Sequence, residues 1–300
     1  MGGVAVDLLF LISGFLVTAS ILNSGATHYV VSRTLRIYPA LWLNLILVTF
    51  VLGSIVTTLP VSEYLTNRDV WTYFKGLAFS YQGSFFLAGV FTQNHNQAVN
   101  GSIWSVLIEV WLYITVLFFY LFGIMRSQAL FNSVFFVLLV VLWKEKSYQP
   151  DAISSTTNLH VCLLFYIGSF LYINRESVPV SPYFMLIALF LASITLGTDK
   201  FVYGYILLLV TFFCTVSFFK QFSWMDKWGD YSYGVYLYSC PAQQLTTWAF
   251  PHLSGIQNFL VASMIALLCG IASWHLVEKR ALRLKKSSSE NHQLQYPTPT

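Results

Sequence analysis

The feature that most limits the folds open to this chain is a succession of apolar runs, most close to the length that crosses a lipid bilayer. They lie at about 4–22, 37–59, 103–122, 130–143, 159–173, 183–196, 202–219, 231–250 and 259–277. A hydrocarbon core of about 30 Å takes about 20 residues of helix, and in lipid each segment must satisfy its own backbone polar groups. Nine such runs joined mostly by short loops predict an all-α fold, a polytopic transmembrane helical bundle. Composition agrees: 56% of the 300 residues are hydrophobic and only 9% are charged, against about 25% in a typical soluble domain. The 18% aromatic content suits Trp and Tyr belts at the two bilayer surfaces.

The loops carry less information. The net charge is +4, spread over many connections rather than gathered in a patch, so nucleic acid is excluded as a partner. Cys162, Cys214, Cys240 and Cys269 all fall in apolar runs without metal-binding spacing, which predicts packing roles and no metal. The first run begins almost at Met1 with no basic flank or cleavage site, so it is not a signal peptide. A polar segment, 23–36, holds His28, Arg33 and Arg36 and is expected as a loop, with Pro39 in the first turn of the next helix. The longest connection is 60–101. Its aromatic part, 70–90, is broken by Lys75, Gly76, Gln82 and Gly83 and is expected to be interfacial or re-entrant. Residues 1–286 are expected to form one membrane domain, and 287–300 a polar, disordered tail.

Orientation follows from positive charge. With a cytoplasmic C-terminus, the inner loops hold Arg33, Arg36, Arg126, Arg175, Lys220, Lys227, Lys279, Arg280, Arg283, Lys285 and Lys286. The outer loops then hold only Arg68, Lys75, Lys144, Lys146 and Lys200. The C-terminus is therefore expected inside. Nine spans put the N-terminus outside, which suggests that one helix before Met1 is missing.

A few ionisable groups interrupt the apolar runs. Glu109 lies about 10 Å along the third run at 1.5 Å per residue. A carboxylate there costs several kcal/mol unless paired, protonated or hydrated, so intramembrane carboxylates mark function by default. Asn100-Gly101-Ser102 opens this run with a turn. Arg33 and Arg36, three apart, share one side of a helix and suit bidentate phosphate binding, although positive-inside residues need no such role. Asp7 is either functional or simply interfacial. Ser13 and Gly14 fit small-residue packing between helices, and Ser13 has no His partner for a triad. His275 and Glu278, three apart, read best as a helix-end cap, and His95 as a loop residue.

Several motifs together resemble the acyltransferase 3 family of bacterial membrane O-acyltransferases. Gly2 to Leu16 is similar to its G-V-D-x-F-F-x-x-S-G-F-L segment, and Arg33 to Pro39 to its R-x-x-R-I-x-P stretch. Ser102-Ile103-Trp104 with Glu109 resembles S-L-W-x-x-x-x-E. Tyr231 to Tyr238 with Pro241 resembles a late Tyr-rich segment ending in His-x-Pro, and Trp274 to Lys279 resembles the family's closing Trp-to-Glu segment. The resemblance implies about ten spans. It also implies transfer of an acyl group, commonly acetyl, from acyl-CoA to a hydroxyl of a cell-surface glycan or lipid-linked saccharide. The setting implied is the bacterial inner membrane, with the bilayer and the saccharide as partners. Arg33 and Arg36 are then expected at the CoA phosphates, and Glu109 and Asp7 as supporting catalytic residues on the acceptor side. Two departures stand out: the family's first-helix R-x10-H, source of its base, is not present, and the late His position is Ser239. The other functions open to such a chain are a membrane transporter or flippase of a glycan or lipid, or a non-catalytic relative.

Overall fold

The computed structural model describes residues 2–80, 84–148, 153–178, 181–198, 200–217 and 230–284. The expected tail, 287–300, lies outside the described residues. Among those residues the secondary structure is helical, with no strand. The long elements are α1 (Gly2–Ile46), α5 (Ile103–Leu121), α6 (Gln128–Tyr148), α7 (Ile153–Ile173), α8 (Pro182–Ile194), α9 (Phe201–Ser217), α10 (Ser232–Ala249) and α11 (Gly255–Ser273). Between α1 and α5 lie a π-helical turn (Leu47–Leu52) and the shorter helices α2 (Gly53–Val56), α3 (Val61–Thr66) and α4 (Arg68–Ala78).

Each apolar run lies on a helix as far as it is described. Among the described residues three helical stretches are long and apolar enough to cross a membrane: Gly3–Val56, Ile103–Leu121 and Gly255–Leu284. Shorter apolar helices cover Gln128–Val140, Leu159–Ile173, Tyr183–Ile194 and Phe201–Val216. The polar segment 23–36 is not a loop. It is helical except at Gly25, whose φ of 76° and ψ of 171° break α1 in two. That backbone region is open essentially to glycine alone, so one residue does the work of a connection.

The chain forms two compact units, each discontinuous in sequence: Met1–Ala26 with Trp111–Lys227, and Thr27–Val110 with Trp228–Thr300. In the first unit α1 and α7 meet backbone to backbone. A Cβ on Gly14 would stand 1.8 Å from the Phe165 carbonyl oxygen, and one on Gly168 2.1 Å from that of Leu11. The Ser169 hydroxyl reinforces the contact by donating to the Gly14 carbonyl at 3.3 Å. Leu11, Val17, Ile21, Leu164 and Phe165 fill the surrounding core.

In the second unit α10 and α11 approach in the same way. A Cβ on Gly270 would meet the Val235 backbone nitrogen at 2.7 Å. The 60–101 connection supplies α4, an amphipathic helix that buries Val70, Tyr73 and Leu77, three residues on one face, and leaves Trp71 exposed. Asn67 caps it, accepting from the Asp69 amide at 2.8 Å. The π-helical turn has its own explanation. Tyr64 of α3 donates its hydroxyl to the Thr49 carbonyl at 2.8 Å, beside Gly53, where a Cβ would stand 2.0 Å from that hydroxyl. Burial pushes the Tyr64 phenol up to about 12, so it stays a donor.

Candidate functional site

Glu109 belongs to a polar stripe in the second unit. Ser102 at the entry to α5, then Ser105 and Glu109, follow helical spacing and share one face. The facing surface is α10. The Ser105 and Tyr236 hydroxyls are 2.6 Å apart, and Tyr236 also donates to the Ser102 carbonyl at 2.7 Å. The Ser102 and Ser239 hydroxyls are 3.4 Å apart. Glu109, one turn further along, is partly buried and near enough to the Tyr236 hydroxyl for its charge to act there.

Pro241 explains how α10 is held against α5. A proline inside a helix supplies no N–H, which leaves the carbonyl four residues earlier, Leu237, without its usual donor. Two buried asparagines replace it. Asn44 donates to the Leu237 carbonyl at 3.1 Å and Asn100 at 3.0 Å. Asn100 also donates to the Asn44 side-chain oxygen at 3.0 Å. The Gly101 amide donates to Cys240 Sγ at 3.2 Å. The turn that opens the Glu109 helix is thus fastened to the proline break of α10.

The arginines lie on α1 beyond Gly25. Arg36 holds two carboxylates: Asp230, through Nη2, and Glu278, whose Oε2 is 3.8 Å from Nη1. Asp230 is half-exposed, whereas the Glu278 side chain is almost fully buried. Ser273 donates to Glu278 Oε1 at 2.9 Å, and the Tyr233 ring lies 5.8 Å from the Arg36 guanidinium. Arg33, one turn away, packs over Tyr29 at 5.9 Å. His275 and Glu278, read as a helix-end cap, have different surroundings. A π-helical turn at Trp274–Glu278 turns Glu278 inward, while His275 is exposed beside the Tyr231 hydroxyl at 3.4 Å.

Asp7 lies in the first unit, on the N-terminal part of α1. It is 8% exposed, and one oxygen, Oδ2, takes two contacts. Tyr205 of α9 donates its hydroxyl to it at 2.7 Å, and His160 Nε2 of α7 lies 3.3 Å away. The His160 and Tyr205 rings stack at 6.3 Å, 18° from parallel. Sequence reasoning singled out Asp7 but missed both partners, which stand 153 and 198 residues further along the chain. Their only signal was position, each near the start of an apolar run. The Ser13 hydroxyl lies 3.4 Å from that of Tyr113.

Comparison with known proteins is decisive at the level of family. Residues 1–275 match the acyltransferase domain of acyltransferase 3 proteins. The chain belongs to that family. This acyltransferase is 28% identical over 297 residues to an O-acetyl transferase of Shigella phage Sf6, a match covering 94% of this chain and 85% of the relative. It is also 32% identical over 123 residues to nodulation protein 10 of Rhizobium leguminosarum bv. viciae, covering 37% of this chain and 31% of that protein. No solved structure matches it. The apolar helices and the family together make it a membrane-embedded transferase of acyl groups.

Proposed function

We propose that this acyltransferase moves an acetyl group from acyl-CoA to a hydroxyl of a cell-surface glycan or lipid-linked saccharide. It would act in the cytoplasmic membrane with its C-terminus inside. The observation that carries the reading is Glu109 on its stripe of hydroxyls, facing Tyr236 and Ser239 within helices that are otherwise apolar. A carboxylate beside hydroxyl groups offers hydrogen-bond acceptors and donors of the kind that a sugar's hydroxyls require. The name of the phage relative, O-acetyl transferase, supports acetyl as the group and oxygen as the acceptor atom.

The chemistry is a single displacement. A base takes the proton of the acceptor hydroxyl, the oxygen attacks the thioester carbonyl, and the CoA thiolate leaves and is reprotonated. In this reading Glu109 binds and orients the acceptor, and Asp7 keeps the supporting role that its motif implies. Arg33 and Arg36 take the CoA phosphates at the inner surface. Asp230 is the exposed partner of Arg36, so a phosphate displaces it while buried Glu278 keeps the guanidinium in place.

Acetylated glycan in cells carrying the wild-type chain, Glu109→Gln, or Arg33→Ala with Arg36→Ala tests this. At equal amounts of protein in the membrane, Glu109→Gln should lose about 100-fold or more of the activity. The double arginine variant should need far more acetyl-CoA to reach the same rate. Equal acetylation by Glu109→Gln would remove its role, and an unchanged requirement for acetyl-CoA would remove the phosphate assignment.

A further inference from the structure

We infer that His160 is the group that takes the acceptor proton, with Asp7 and Tyr205 as the residues that position it. The inference rests on the transferase reading above, and the juxtaposition of these three side chains supports it. Asp7 is buried, and its Oδ2 accepts from the Tyr205 hydroxyl at 2.7 Å. That bond fixes the carboxylate in one orientation, with the same oxygen turned to His160 Nε2 at 3.3 Å. A carboxylate accepts and does not donate when ionised, so it favours a ring proton on Nε2, the nitrogen that faces it, and leaves Nδ1 as the bare nitrogen. The parallel Tyr205 ring restrains the plane of the imidazole. The His160 side chain is 24% exposed against 12% for Asp7. The carboxylate is therefore shielded while the ring still meets its surroundings, as an orienting group and a working base require.

The three residues come from α1, α7 and α9, each near its N-terminal end. The charge count places those ends on the outer side, where a surface glycan or lipid-linked saccharide arrives. In the step, His160 Nδ1 takes the proton of the acceptor hydroxyl as the oxygen forms its bond to the thioester carbonyl carbon. The carbon–sulfur bond then breaks, and the imidazolium returns the proton to the CoA thiolate. The products are an O-acyl ester and free CoA, and the histidine ends as it began.

The test uses the full chain in lipid nanodiscs, with acetyl-CoA as donor and the host's membrane glycolipid fraction as acceptor. Release of CoA thiol and acetyl incorporation are followed together. His160→Gln keeps a polar amide to face Asp7, so the buried carboxylate is not left against an apolar side chain. It should lower kcat by about 100-fold or more with KM for acetyl-CoA unchanged. Asp7→Asn and Tyr205→Phe should each lower kcat by about 10-fold or more, again without moving KM. Thermal unfolding of every variant close to the wild-type temperature makes the kcat loss a loss of chemistry. Wild-type turnover by stably folded His160→Gln overturns the inference and leaves the transferase standing. A wild-type chain that moves no acetyl group to any component of the fraction overturns both.

Discussion

At the scale of single residues, a missing hydrogen bond organises the second unit. Leu237 is the carbonyl that Pro241 deprives of a helical donor, and Asn44 and Asn100 are the two side chains that replace it. Both asparagines are fully buried, where an amide without partners costs about 1–3 kcal/mol. Asn100→Ala should therefore lower stability by about 1–2 kcal/mol, read as a lower unfolding temperature of the purified protein. The cost should shrink when combined with Pro241→Ala, because alanine restores an N–H for Leu237. Strictly additive losses in the double variant would break the link between proline and asparagine. The asparagines also fasten the turn before α5, so the placement of Glu109 depends on Pro241, 132 residues away.

At the scale of helices, glycine decides the spacing. Gly14 and Gly168 let α1 and α7 approach until a Cβ would overlap a carbonyl oxygen of the other helix. Gly14→Val forces them apart and should cost about 1–3 kcal/mol or more. Gly25 differs, because a Cβ there meets nothing within 4 Å while φ is +76°. Gly25→Ala should cost about 1–3 kcal/mol of backbone strain without disturbing the packing. The contrast appears as loss of folded protein in the membrane for Gly14→Val and only a lower melting temperature for Gly25→Ala. Ser13-Gly14 was legible as a packing position because small residues in a spanning run have few other uses. The break at Gly25 was not, since the polar residues around it suggest a loop while the backbone turns at one residue. The π-helical turns at 47–52 and 274–278 were equally hidden. Each has a tertiary partner, Tyr64 in one case and Arg36 in the other.

At the scale of the whole molecule, the sequence was most informative about helices and least about which of them meet. Runs of apolar residues reveal membrane helices because lipid leaves the backbone so few alternatives. No spacing rule connects Asp7 with His160 and Tyr205, or Arg36 with Asp230 and Glu278, because each contact closes a loop of more than 150 residues. These contacts still bear on orientation. Asp7, His160 and Tyr205 all lie toward the N-terminal ends of their helices, and those helices carry the first, fifth and seventh apolar runs. Strictly alternating spans require these three to run in one direction. Arg36 and Asp230 stand at the starts of the second and eighth runs and Glu278 at the end of the ninth, positions that alternation of nine spans would also put on one common side. The proposed orientation rests on positive charge: nine alternating spans would put eleven Lys and Arg residues on the inner side and five on the outer. Single cysteines introduced into a chain with its four native cysteines replaced by alanine would test it. An impermeant maleimide applied to spheroplasts should label His95→Cys and Thr198→Cys, exposed positions on the expected outer side. Ser127→Cys and Ser177→Cys, equally exposed but on the expected inner side, should react only after the membrane is opened. The reverse pattern would put the Asp7–His160 pair on the cytoplasmic side, where it could not meet a surface glycan. Labelling of one inner position alone would instead show that a single helix departs from alternation.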